Sequence, residues 1–440
     1  ENTHLRIQPN GYKQPCLLAV LDAQNILIQG GILHGERDEH DYSSGGTHEW
    51  ENLITIKACK NIKVEEVVVM DAAGDGLSIN GLGHAFADNY ISSENVLITG
   101  NKFIRNRRLN LSVTDGHNVI IENNEFIDAS IDTDKSSGTA PGYAIDIEAV
   151  RGADGTLYQI AEDIIIRNNI ESGSRVGGIT VHTGDRVTIE NNSLESNISY
   201  STSIGTIIRN NTLQAVSEKS KTYGTAITAG RNDRYERNYG NRVYGNTITG
   251  FSTGIKLANT DLEVYDNNIV DCKVGLTFEI LTNSKIYNNV ISSTINSSDG
   301  ILSAGQSKYI DDVSFSYNTI DVTRFPIQFV SINNDAGEEN FKYIIDNNTL
   351  IDGGLTISNS DGFTLNNNSI LNGRIRLSNA ANGSILNNTI NSDTHGVRID
   401  SGCHNISITD NNISVDSNYQ CIWQNNSDSI NINILNNSCQ

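Results

Sequence analysis

A short phrase, Asn-Asn-x-Ile/Leu and its close variants, constrains this chain more than any other feature. It returns at Asn123, Asn168, Asn191, Asn210, Asn267, Asn288, Asn347, Asn366, Asn387, Asn411 and Asn436, with single-Asn forms near Asn246 and Asn318. The clean intervals run from 19 to 25 residues. A β-branched stretch precedes each pair, such as Val119-Ile120-Ile121, Ile164-Ile165-Ile166 or Val187-Thr188-Ile189, and an apolar residue and a Gly-containing strand such as Gly254-Ile255-Lys256-Leu257 follow. Each unit reads as three short strands joined by tight turns. One such unit cannot bury its apolar face alone, so units must stack. Parallel stacking at about 4.8 Å per coil pairs every backbone group with the coils above and below. It also aligns the asparagines into a ladder of side-chain amides.

On these residues the chain resembles the right-handed parallel β-helix of pectin-lyase-like proteins, from about residue 17 to the end. The fold expected is all-β: a single-stranded, right-handed parallel β-helix solenoid forming one domain over 1–440. Residues 1–16 would be an opening segment or cap, 17–242 decorated coils, and 243–440 regular coils. A leucine-rich repeat is excluded because its leucine spacing is absent.

Composition agrees. The chain holds 58 asparagines and 38 glycines but 4 prolines, a balance that favours turns and left-handed backbone over helix interiors. Its formal net charge of −21, from 52 acidic against 31 basic residues, repels nucleic acid, and no basic cluster offsets it. No run of 18 apolar residues is present, so membrane insertion is not expected. The chain opens at Glu1 and its one methionine is Met70, which reads as a fragment or processed form. The six cysteines have no metal-ligand spacing. They read as buried thiols, with a disulfide among Cys403, Cys421 and Cys439 as the alternative.

In a solenoid, insertions mark the working face. Residues 34–50, 80–93, 128–142, 149–162 and 215–241 exceed the coil period, which places function in the N-terminal half. Aligning the Gly-x-strand elements by Leu77/Ile79, Leu109/Leu111, Ile145/Ile147, Ile179/Val181 and Ile255/Leu257 turns alternate residues outward. One column then holds Ser78, Asn110, Asp146, Thr180 and Lys256. A second holds Asn80, Ser112, Glu148, His182 and Ala258, and a third Asp75, Arg107, Tyr143 and Gly177. Asp75, Arg107, Asp146, Glu148 and His182 are therefore the candidate catalytic group. Tyr143, Arg108, Asn80, Asn110, Trp50, His48, Arg231 and Lys256 are the candidate substrate-binding residues.

Asp146 and Glu148, two apart on a strand, would lie about 6.5–7 Å apart. That is near the lower edge of the separation for an inverting glycosidase, in which one carboxyl is acid and the other base. His182 and Arg107 would tune their pKa values and hold an acidic sugar. Asp75, in the Gly74-Asp75-Gly76 turn, would orient a sugar. The bland reading of each is an outward polar residue that keeps the sheet soluble. The loop 34–50 concentrates Asp38, His40, Asp41, His48 and Glu49. Its spacing matches no tight ligand motif, so it reads as shaping the cleft with Tyr42 and Trp50 as aromatic platforms, and neither metal nor cofactor is expected.

The phrase Gly35-Glu36-Arg37-Asp38…His40…Thr47-His48-Glu49, followed by Gly74-Asp75-Gly76, also resembles the first coils of phage tail-spike and appendage β-helices. That resemblance implies an extracellular or virion-associated, generally trimeric protein that binds and usually cleaves bacterial surface polysaccharide or teichoic acid. It transfers no catalytic residue. The Asp-Pro-His motif of mannuronan epimerases is missing, and so is a convincing carboxylate trio for the calcium of pectate lyases. Polysaccharide hydrolysis by Asp146 and Glu148 is the leading expectation. A uronate lyase or epimerase using His182 or Tyr143 as base is the second, and a non-catalytic binding fibre the third.

Overall fold

Coils of the expected kind stack throughout the computed structural model, which describes residues 3–230, 237–304, 309–332, 342–425 and 428–440. The chain divides into two compact units, Glu1–Val216 with Asp233–Asn241, and Ser217–Asn232 with Arg242–Gln440. Both are parallel β-helical. Among the described residues the antiparallel pairings are two isolated bridges inside insertions, Leu82 with Ile91 and Arg151 with Leu157.

In the first unit three strand ladders run in parallel. One stacks Leu18–Leu21, Ile54–Lys57, Leu77–Asn80, Leu111–Val113, Tyr143–Glu148, Gly177–Asp185 and Ile198–Ile204. A second runs from Gln24–Gln29 to Ile207–Arg209. The third runs from His4–Arg6 to Thr212–Gln214. Alternation decides what faces in: Val96, Val119 and Ile164 stack in register, as do Ile98, Ile121 and Ile166, and all six are buried. Each such side chain contributes about 1.5–3 kcal/mol by leaving water.

The asparagine pairs divide two tasks. The first member takes left-handed backbone at the turn: Asn123, Asn168, Asn191 and Asn210 all have φ of 55°, a region Asn tolerates better than most residues. The second member is buried and builds the ladder. Asn169 Nδ2 donates to Ile121 O at 2.9 Å and Asn192 Oδ1 at 3.0 Å, while its Oδ1 accepts from the backbone and side-chain amides of Asn124 at 3.0 and 3.1 Å. The second unit repeats the device from Asn246 through Asn267, Asn289, Asn318, Asn348, Asn368, Asn388 and Asn411 to Asn437. There the stacked rings of Tyr244, Tyr265 and Tyr287, with centroids 4.6 and 4.8 Å apart, repeat the coil spacing on the outside.

Two expectations need correcting. The second unit often fuses two of the three strands, as in Val274–Tyr287, Gly354–Asn366 and Arg374–Leu386. Left-handed residues such as Asn283, Asn359 and Asn379 turn the chain there without ending the pairing. Cys59, Cys272 and Cys403 are buried thiols as expected, but Cys16 is exposed, and Cys421 is bonded to Cys439.

Candidate active site

The outward column in the first unit reads Ser78, Ser112, Asp146, Thr180 and Ser199. It differs from the expected column in two ways. The strand after Arg107 is displaced by two residues, so Ser112 holds the place expected for Asn110. Asn110 is instead fully buried, accepting from Asn106 Nδ2 at 2.8 Å and donating to Ile127 O. Secondly, the coil Ile198–Ile204 follows the Thr180 strand, so Ser199, not Lys256, sits beside Thr180. Lys256 belongs to the second unit and pairs with Glu279 at 2.7 Å. Arg231 lies outside the described residues.

Asp75, Arg108, Asp146, Glu148 and Trp50 come together, lining a cavity of about 320 Å³ with Ser78, Ser112, Thr114, Leu109 and the run Ala149, Val150 and Arg151. One wall is the end of the 34–50 insertion and another the start of 149–162. The 128–142 insertion does not line it, contrary to the expected bracket. It clamps the 34–50 loop instead: Thr133 and Ser136 donate to Asp38 at 2.6 and 2.7 Å, and buried Arg37 donates to Ser136 Oγ at 3.0 Å, Arg105 O and Ile131 O.

Why Asp75 sits where it does follows from its glycines. A Cβ on Gly74 would meet Glu49 O at 2.7 Å and Glu51 N at 2.8 Å, and one on Gly76 would meet Asn110 O at 2.7 Å. Only glycine lets this turn press between its neighbours. Asp75 is buried, and both its oxygens accept from Arg108 Nη1, at 3.2 and 2.9 Å, while Ser112 Oγ donates to Oδ2 at 2.8 Å. Burial pushes its pKa up against the pull of Arg108 and Ser112. Arg108 leans over the Trp50 ring, 5.9 Å from its centroid, and its Nε is buried without a hydrogen-bond partner.

A β-bulge lies beside Asp146 and Glu148. Ile147 pairs with Val181, but Glu148 pairs with Thr183, so His182 is the extra residue, re-aimed as bulges do. Its Nδ1 donates to Asp146 at 2.9 and 3.1 Å to the two oxygens. Tyr143 meets the imidazole edge-on at 5.7 Å. Burial alone would lower the His182 pKa, but the hydrogen bond and charge of Asp146, with Glu148 behind it, outweigh burial and raise it. Burial and the neighbouring Asp146 charge raise Glu148, opposed by His182, Arg108 and Arg151. Glu148 stands exposed at the rim, so solvent limits how far that shift goes. One oxygen of Asp146, one of Glu148 and a His182 nitrogen lie within 4.8 Å of one another. The nearest carboxylate oxygens are thus closer than the roughly 6.5–7 Å expected along the strand.

The remaining candidates have other partners. Arg107 donates to the carbonyls of Ser137, Thr47, His48 and Ala73 and covers the Tyr42 ring at 4.3 Å. It is a clip between two insertions, not a wall of the cavity. His48 is buried against His40 and Glu51, so it offers nothing to a ligand in the cavity. Asn80 bonds Ser78 Oγ at 3.0 Å and accepts from Thr114 at 2.8 Å, bracing two lining residues from behind. Sequence reasoning missed Arg151 and Thr114. The length of the 149–162 insertion was the signal that pointed to Arg151.

A family model described as periplasmic copper-binding protein (NosD) matches residues 145–323. The uncharacterized protein YclG of Bacillus subtilis (strain 168) is 30% identical over 268 residues, which is 60% of this chain and 45% of that protein. The SPbeta prophage-derived uncharacterized protein YorA of the same organism is 29% identical over 193 residues, 42% of this chain and 32% of its own. The chain therefore spans less than half the length of these curated relatives. Among solved structures, the N-terminal fragment of bacteriophage phi29 gene product 12 is similar at 14% identity and a TM-score of 0.44, over 94% of this chain and 78% of that one. That likeness concerns the fold alone.

Proposed function

We propose that the chain binds and cleaves a bacterial surface or extracellular polysaccharide by acid/base glycoside hydrolysis in the Trp50–Glu148 cavity. The observation that carries this reading is a pair of carboxyls, Asp146 and Glu148, whose oxygens lie within 4.8 Å of each other on the wall of one cavity. Glu148, whose pKa burial and the Asp146 charge raise, is the general acid toward the leaving oxygen. Asp146, held by His182 Nδ1, faces the sugar carbon that becomes cationic. Oxygens within 4.8 Å leave no room for a water between the two groups, which favours retention of anomeric configuration over the inversion anticipated from spacing. Trp50 supplies an aromatic platform, and Arg108 and Arg151 supply cations for an acidic sugar.

For the lyase reading, with His182 or Tyr143 as base, His182 is disfavoured because its Nδ1 is turned onto Asp146 and its pKa is raised by that contact. An extracellular or virion-associated setting belongs to the same proposal and is supported by the prophage origin of one relative. So does assembly as a homotrimer, which sedimentation of the purified chain checks.

The test is size-exclusion analysis of capsule and wall polymers after incubation with wild type, Asp146→Asn and Glu148→Gln. Wild type should shorten one polymer, and each variant should lose about 10²–10⁴-fold in rate while still binding it. Shortening by all three proteins would discard this site. Binding by all three without shortening would make the chain a binding fibre, and an unsaturated-uronide ultraviolet product would make it a lyase.

A further inference from the structure

Below the cavity wall, the 34–51 loop folds a second cluster inward. His40, His48 and Glu51 are all buried, and their donor atoms form a near-equilateral triangle. His40 Nε2 lies 2.9 Å from His48 Nδ1 and 2.9 Å from Glu51 Oε1, and His48 Nδ1 lies 3.1 Å from the same oxygen. The outer nitrogen of each ring is taken. His40 Nδ1 faces Glu36 Oε1 at 3.0 Å, itself held by Asn10 Nδ2 at 2.8 Å, and His48 Nε2 faces Ser44 Oγ at 3.3 Å.

With both carboxylates ionised and both imidazoles neutral, the His40 proton on Nδ1 toward Glu36 leaves its Nε2 bare, and the three atoms of the triangle share at most one hydrogen, from His48. The second oxygens of Glu36 and of Glu51 are also buried without a hydrogen-bond partner.

We propose that His40 Nε2, His48 Nδ1 and Glu51 bind one divalent first-row cation of the zinc type. Two imidazoles and a carboxylate are a zinc donor set, and a tetrahedral ion with bonds of about 2.0–2.1 Å needs donors about 3.3 Å apart, a few tenths of an ångström beyond the distances here. Glu51 Oε2 is at hand as a fourth donor. Glu36 and Ser44 are the outer partners that fix ring tautomers in metal sites. The ion's role is to brace. The Glu51 carbonyl accepts from Gly74 N at 3.0 Å, next to Asp75, and Trp50 on the cavity wall is the preceding residue. The site is separate from the Asp146–Glu148–His182 group and stands whether or not that group is catalytic.

The experiment uses the full chain, stripped with a chelator, dialysed against zinc and desalted before elemental analysis, with cobalt as the spectroscopic probe. Wild type should retain one zinc per chain, show the intense visible bands of tetrahedral cobalt, and melt at higher temperature with zinc than without. His48→Gln and Glu51→Gln should each weaken zinc binding more than about 100-fold, and Glu36→Gln about 10- to 100-fold, as expected for an outer partner. The double variant Asp146→Asn/His182→Gln should keep its zinc. A folded, stripped wild type that takes up no zinc and melts at an unchanged temperature would overturn the proposal, even if the loop variants do not fold. So would zinc that survives His48→Gln but is lost from the Asp146/His182 variant.

Discussion

At the scale of single residues, the ion pair at the cavity floor sets a pH dependence with a definite sign. His182 has a folded-state pKa above its ordinary 6.5 because Asp146 and Glu148 outweigh burial. A cation raised in this way adds stability that is fully present below 6.5 and is lost as pH rises through the folded value. Urea unfolding of wild type and His182→Gln should therefore differ by about 1.5–3 kcal/mol below pH 6, the range for a hydrogen bond to a charged group, and by clearly less at pH 9. A difference that grows with pH would mean that His182 is neutral in the folded chain and that Asp146 is not held by an imidazolium. The pair itself was visible in the sequence, because Asp146 and Glu148 alternate with Ile145 and Ile147. What brings His182 onto Asp146 was not visible. A bulge adds a residue without altering the apolar alternation on either side of it.

At the scale of strands and coils, the asparagine ladder is the element whose energetics are simplest to isolate. Asn169 is buried and joins two coils through four hydrogen bonds. Asn169→Ala would leave the Asn124 backbone N–H without its partner inside the solenoid and remove three further hydrogen bonds. A buried orphan costs about 1–3 kcal/mol and each lost bond about 0.5–1.5 kcal/mol, so the expected loss is about 2–5 kcal/mol in urea unfolding. Asn168→Gly, at the left-handed turn beside it, should change stability by less than about 1 kcal/mol. Equal losses at both positions would refute the division of labour within the pair. This ladder was legible in advance because it recurs at a fixed period. The register of the coil at 109–113 was not. Leu109, Leu111 and Val113 are all buried, and a two-residue slip along an apolar alternation keeps every side chain on its face, so Leu109/Leu111 and Leu111/Val113 match Leu77/Ile79 equally well. The strand Ile198–Ile204 is announced by the interval from Asn191 to Asn210, but its Ser199-Tyr200-Ser201-Thr202-Ser203 run carries one large apolar side chain, which left its place in the column unset. Nor does any spacing announce His40, His48 and Glu51, which a loop and not a repeat brings together.

For the molecule as a whole, net charge and local charge pull against each other. A charge of −21 surrounds a cavity whose nearest cations, Arg108 and Arg151, are engaged with Asp75 and with the Thr183 hydroxyl. A polyanion approaching to within about a Debye length meets the summed field first, and only at contact does it meet the arginines. The Debye length shrinks from about 30 Å at 0.01 M salt to about 10 Å at 0.1 M, so added salt removes the repulsion before it reaches the short contacts. For an anionic polymer, kon measured by stopped flow should rise about 3- to 10-fold over that range, opposite to the usual behaviour of oppositely charged partners. For a neutral polymer it should stay flat. Arg151→Gln should leave kon for the anionic polymer within about two-fold and raise koff, since contacts made at short range govern dissociation. A kon that falls with salt would mean that the arginines, not the acidic surface, govern the approach, and that anionic polymers are drawn to this cavity from a distance.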